Sequence, residues 1–122
     1  MRGLTVLSAV AIGVLFLAPM VQAKEVVVSM GSASGRLIFE PKEVTISKGD
    51  TVRWKYVKAG PHNVVFDPKK VPAGIDAVAL SHKKLISKDD PTYVTKFDKP
   101  GEYYYFCTPH KGAGMVGEVT VK

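Results

Sequence analysis

The sequence contains a single cysteine, Cys107, among 122 residues. One thiol cannot close an internal disulfide, so it is either a small hydrophobe in a core or a group engaged in chemistry. Histidine numbers three and tryptophan one, which leaves few side chains able to carry a site. Acids are the minority charge, 11 against 17 Lys and Arg, so partners with acidic surfaces suit the chain. The lysines fall in scattered pairs such as Lys69-Lys70 and Lys83-Lys84, without interleaved aromatics or a nucleic-acid module. Nucleic acid is therefore not an expected partner. Helical periodicity is almost missing and no internal repeat is visible, which points away from helical and repeat architectures.

The amino end has the three-part form of an export signal: Arg2, the apolar run Leu4 to Ala18, then Pro19 and Val21-Gln22-Ala23. Spanning a bilayer takes about 20 apolar residues, and this run is shorter and carries Thr5 and Ser8. Residues 1–23 are thus expected to be a removed signal, cut after Ala23, and residues 24–122 a single domain. Arg2 is the only charge lost with the signal, so Lys plus Arg falls from 17 to 16 against 11 acids, leaving a net charge of about +5.

Short β-branched and aromatic runs separated by Gly, Pro and Asp turns fill the rest. Strands are expected over Glu25–Met30, Leu37–Phe39, Glu43–Ile46, Thr51–Tyr56, Asn63–Phe66, Thr92–Phe97, Tyr103–Cys107 and Gly117–Val121. The Thr51–Tyr56 run alternates, with Val52, Trp54 and Tyr56 on one face and Arg53 and Lys55 on the other, the mark of a sheet with one wet side. Between Asp67 and Asp90 the alternation lapses into an expected surface excursion, with at most a turn or two of helix over 75–80. Seven or eight short strands describe an all-β sandwich of two sheets.

The last strand pair brackets Cys107-Thr108-Pro109-His110-Lys111-Gly112-Ala113-Gly114-Met115. A thiolate, an imidazole and a thioether on one loop form a soft donor set, and His62, at a turn opening into an apolar run, offers a second imidazole. Two histidines, a cysteine and a distant methionine suit one copper ion in a blue-copper electron-transfer site. Zinc also accepts two histidines and a cysteine, but thioether ligation is not its habit. Pro109 fixes the backbone before His110, and Gly112 and Gly114 let the loop curl back. Asn63, beside His62, is placed to hydrogen-bond across to the cysteine loop, with Thr108 as receiver, unless it merely caps its own turn. His82 lies among charged residues and is expected at the surface, outside the ligand set. The sequence offers no open coordination position, no general base beside a cleft and no second metal set, so an enzyme is not expected.

These two motifs, Cys107 to Gly117 and Gly60-Pro61-His62-Asn63-Val64-Val65-Phe66-Asp67, resemble the plastocyanin family, as do Leu37-Ile38-Phe39-Glu40-Pro41 and Val71-Pro72-Ala73-Gly74. The resemblance implies a Greek-key β-sandwich, the cupredoxin fold, with copper held at one end by His62, Cys107, His110 and Met115. It implies a monomer that passes electrons through the ring edge of His110. The surrounding apolar patch would be Leu37, Ala59, Gly60, Pro61, Pro109, Gly112 and Ala113. Plant members pair acidic clusters with a tyrosine before the cysteine; here Phe106 precedes Cys107 and the charges are lysines, with Asp89-Asp90 the only acidic pair. Lys111 beside His110 places a cation where an acidic partner is steered. This is closer to cyanobacterial members, and it implies shuttling from cytochrome f to photosystem I in the thylakoid lumen, peripheral to the membrane. The alternatives are a periplasmic cupredoxin of the amicyanin or pseudoazurin sort, and a copper carrier, for which exchangeable Met/His clusters would be expected.

Overall fold

Valine-rich and aromatic segments pair into two facing sheets. The computed structural model describes residues 3, 11–13 and 22–122; the export signal expected over 1–23 otherwise lies outside the described residues. Nine strands follow one another: β1 (Glu25–Met30), β2 (Phe39–Glu40), β3 (Glu43–Ile46), β4 (Thr51–Tyr56), β5 (His62–Phe66), β6 (His82–Ile86), β7 (Thr92–Lys96), β8 (Gly101–Phe106) and β9 (Val116–Val121). One helical turn, α1 (Ala77–Leu80), precedes β6, and a 3-10 segment (Thr108–Ala113) separates β8 from β9. The strand orders are β2-β1-β4-β7 and β3-β9-β8-β5-β6. Parallel pairing of β1 with β4 and of β3 with β9 places the first and last strands inside the sheets, not at their edges.

The alternation in β4 sets the core. Val52 and Trp54 are fully buried while Lys55 faces water. The Trp54 ring lies edge-on to Tyr105 at 5.3 Å and to Phe66 at 6.1 Å, and stacks on Tyr93 at 5.7 Å, so one side chain joins the two sheets. Such aromatic pairs each contribute about 0.5–1.5 kcal/mol beyond their burial. On the outer face Arg53 pairs with Glu25, an exposed contact that stabilises little.

Three sequence expectations change. The strand expected over Leu37–Phe39 is displaced to Phe39–Glu40, because the amide of Ile38 turns back to the carbonyl of Arg36 at 3.0 Å. The excursion over 67–90 contains β6, an edge strand bonded to β5. Only Ile86 of its five residues is buried, so its side chains carry no alternation to read. Among the described residues the strands accordingly number nine, where seven or eight were expected. The helical turn forms where Asp76 accepts hydrogen bonds from the amides of Val78 and Ala79 at 3.0 and 3.2 Å.

The sheet that matters for the site is the second. β8 and β9 pair antiparallel from Gly101↔Val121 to Phe106↔Val116, and β5 lies on the other side of β8. The end of β8 and the start of β5 therefore come together at one end of the sandwich.

Candidate metal centre

Cys107 directly follows β8 and is fully buried. Its amide donates to the carbonyl of Met115 at 3.0 Å, extending the β8–β9 ladder by one bond. Within the loop the amide of His110 donates to the carbonyl of Cys107, and that of Met115 to the carbonyl of His110, both at 3.2 Å. Gly114 ends the 3-10 segment at φ +83°, a left-handed conformation that glycine adopts without strain. The nine residues from Cys107 to Met115 are thus held by bonds among themselves and by the strands at either end.

His62, the first residue of β5, is fully buried. Its Nε2 lies 2.7 Å from the carbonyl oxygen of Lys58. A carbonyl only accepts, so Nε2 carries the proton and the Nδ1 lone pair is left free. That lone pair faces the Cys107 sulfur at 3.7 Å. The Nδ1 of His110 lies 3.4 Å from the same sulfur, and the two imidazoles meet edge to face with centroids 5.1 Å apart. The three donor atoms all lie within 4.8 Å of one another.

Those spacings can be tested against an ion. Bonds of about 2.3 Å to sulfur and 2.0–2.1 Å to nitrogen, as zinc makes, opened to a trigonal angle put sulfur and nitrogen roughly 3.7 Å apart. Separations of 3.4 and 3.7 Å fit a shared first-row cation. The donor chemistry then favours copper, because a thiolate and two imidazoles are its preferred planar set. Met115 is fully buried at the end of the same loop, tied by its backbone to both Cys107 and His110.

Burial favours the uncharged forms of Cys107 and His62. Burial pushes the Cys107 thiol up, partly offset by backbone hydrogen bonds from Asn63 and His110. Burial pulls the His62 imidazole down, with the Lys58 carbonyl opposing and His110 adding to the shift. A metal supplies the positive charge that would make the thiolate favourable.

Asn63 is 4 % exposed and uses its whole amide. Its Oδ1 accepts from the amide of Thr108 at 2.7 Å, and its Nδ2 donates to Thr108 Oγ1 at 3.2 Å and to the Lys83 carbonyl at 3.1 Å. The residue after one imidazole thus clasps the residue after the sulfur. His110 is half-buried; of the residues expected to surround it, Gly60, Pro61, Pro109, Lys111, Gly112 and Ala113 are exposed, while Leu37 and Ala59 are half-covered. Lys111 is not a free arm: its Nζ sits 4.2 Å from the centre of the Phe106 ring. His82 stays apart in β6, half-buried against Tyr93, with Nδ1 donating to the Lys84 carbonyl at 2.8 Å.

Two contributors have no sequence signal. The Lys58 carbonyl is backbone, which every residue possesses. Gly31, in what reads as an ordinary Gly/Ser turn, has φ +80°, and a Cβ there would stand 1.9 Å from the Lys58 oxygen and 3.2 Å from His62 Nε2. Only glycine lets the two backbones approach closely enough to set the imidazole.

Residues 26–122 match the family model of copper binding proteins, plastocyanin/azurin family. A chloroplastic plastocyanin of Tetradesmus obliquus is 53% identical over 95 residues, covering 78% of this chain and 66% of that one. A plastocyanin of Synechococcus sp. (strain JA-2-3B'a(2-13)) is 47% identical over 114 residues, covering 90% and 82%. Among solved structures, the oxidised plastocyanin of Dryopteris crassirhizoma superposes with a TM-score of 0.69 at 37% identity, covering 80% of this chain and all of that one.

Proposed function

Since the chain belongs to the plastocyanin/azurin family of copper-binding proteins, we propose that it takes single electrons from cytochrome f and delivers them to photosystem I. The protein is a blue-copper electron carrier, and its cofactor is copper. We further propose that the chain is exported, cut after Ala23, and resides in the thylakoid lumen as a monomer.

His62, Cys107 and His110 would hold the ion, with Met115 as a fourth donor. When bound, copper supplies a one-electron couple between Cu(I) and Cu(II). What the protein contributes is a shell that does not move. His62 is fixed by the Lys58 carbonyl, Cys107 by the ladder bond to Met115, and the two loops by the Asn63–Thr108 clasp. Restraint of this kind keeps reorganisation between oxidation states small, and fast transfer needs that.

His110 is the one donor residue that is not fully buried. Pro109, Gly112 and Ala113 of the same loop are exposed and small or apolar, so a partner can approach the ring edge and leave again, since such a patch makes only a weak contact. Lys111 adds a fixed cation beside that face, which favours an acidic partner surface. The observation that carries the reading is the convergence of one sulfur and two imidazole nitrogens within 4.8 Å.

The test is the visible spectrum of the copper-loaded protein beside that of Cys107→Ser, followed by stopped-flow reduction by cytochrome f and flash oxidation by photosystem I. Intense colour lost in the variant and rapid transfer on both sides are expected. A coloured protein that neither complex reacts with would sink the photosynthetic assignment and leave the copper site standing.

A further inference from the structure

The opposite end of β4 from the copper loops carries a buried carboxylate with no part in electron transfer. Asp50 is 7 % exposed. Its Oδ1 accepts from the backbone nitrogen of Lys24 and its Oδ2 from the amide of Ser47, each at 2.9 Å. The surrounding backbone closes on the same spot. The Lys24 carbonyl accepts from Thr51 N at 2.9 Å, Asp50 N donates to the Ser47 carbonyl at 3.0 Å, and the Asp50 carbonyl accepts from Phe97 N at 3.0 Å. The Asp50 side chain therefore joins the lead-in to β1 to the β3–β4 turn, and its backbone carbonyl adds the residue after β7.

Lys24 is also the residue that follows the expected cleavage point. In the uncut chain its nitrogen is a neutral amide with one hydrogen to donate. Hydrolysis adds water across the Ala23–Lys24 bond, leaving a carboxylate on Ala23 and a primary ammonium on Lys24, with no change in oxidation state. The same nitrogen then carries a full positive charge and three hydrogens, 2.9 Å from a carboxylate largely removed from water. Charge-assisted bonds are roughly twice as strong as neutral ones, and a buried carboxylate gains most from a partner of opposite charge.

We propose that Asp50 is the receptor for the α-ammonium that processing creates at Lys24, so that the folded domain binds its own new terminus. The contact lies one residue before the first registered pair of the β1–β4 ladder, Glu25↔Thr51. Binding there fixes where the parallel ladder begins, and export processing thereby strengthens the mature fold. The inference rests on the export reading with cleavage after Ala23, and is independent of the copper site.

The experiment uses the full chain with its leader, recovered after export, alongside a version with Gly-Ser inserted between Ala23 and Lys24. Both are made with Asp50 and with Asp50→Asn, and intact mass reads each terminus. The unmodified chain is expected to begin at Lys24. The insertion, which moves the ammonium away, is expected to lower Tm by roughly 4–8 °C with Asp50 present and to change nothing in Asp50→Asn. If Asp50→Asn does not fold, reductive alkylation of the α-amine decides. It is expected to run about tenfold slower in the unmodified protein than in the insertion variant, the effect of a one-unit rise in the amine's pKa. A terminus elsewhere, an insertion shift that Asp50→Asn leaves intact, or equal alkylation rates would each overturn the assignment.

Discussion

The carbonyl oxygen of Lys58 stands 2.7 Å from Nε2 of His62, and it reaches that position only because residue 31 has no Cβ. The orientation of one copper-site imidazole is thus set by a backbone oxygen and by the lack of a side chain at the residue that follows β1. Gly31→Ala is expected to displace the Lys58 carbonyl and free the His62 ring. Copper affinity should fall about 10–100-fold, the usual effect of losing such a supporting contact. Chelator competition measures it. Affinity unchanged in a folded variant would show that the carbonyl is not what positions the ring.

The Asn63–Thr108 clasp should behave as a graded joint. Asn63→Ala removes three hydrogen bonds and is expected to cost about 1–3 kcal/mol in denaturant unfolding. Thr108→Val removes only the bond to Oγ1 and should cost about 0.5–1.5 kcal/mol. Because Asn63 also bears on the cysteine sulfur through its backbone, the reduction potential of the copper form should shift more in the first variant. Equal losses in both would mean that the amide of Thr108 gains nothing from Asn63.

Lys111 is held over the Phe106 ring beside the His110 face. Charge reversal by Lys111→Glu is expected to slow association with an acidic redox partner several-fold at about 0.01 M salt, where the Debye length is roughly 30 Å. The two proteins should converge near 1 M, where that length is about 3 Å. Stopped-flow rates across ionic strength provide the check, and identical rates at every salt concentration would count against steering by this lysine.

Asp50 contributes to stability on the acid side. The bond from the Lys24 backbone, and then that from Ser47, hold its carboxyl below the ordinary value of 3.8. A depressed carboxyl contributes stability that is fully present above the ordinary value and lost as pH falls through the folded one. The gap in Tm between the protein and Asp50→Asn should accordingly be constant between about pH 5 and pH 7 and narrow below about pH 4. A gap that does not move between pH 6 and pH 2 would contradict the assignment.

By itself the sequence determined the chemistry. Cys107, His110 and Met115 declare their donor atoms by residue type, and the spacing within one Pro/Gly loop confines them to a single turn of chain. The alternation of Val52, Arg53, Trp54 and Lys55 likewise declares which face of β4 is buried, because side-chain polarity is a property of each residue. Tertiary structure alone decided what the backbone does. The Lys58 carbonyl on His62, the Lys24 nitrogen on Asp50 and the bonds that make β6 a strand all use groups common to every residue, so no letter marks them. The same holds for Gly31, whose need to be glycine arises from how near another chain segment passes. Donor identity is local and can be read one residue at a time, whereas donor orientation depends on contacts between segments far apart in the chain and exists only once they have met.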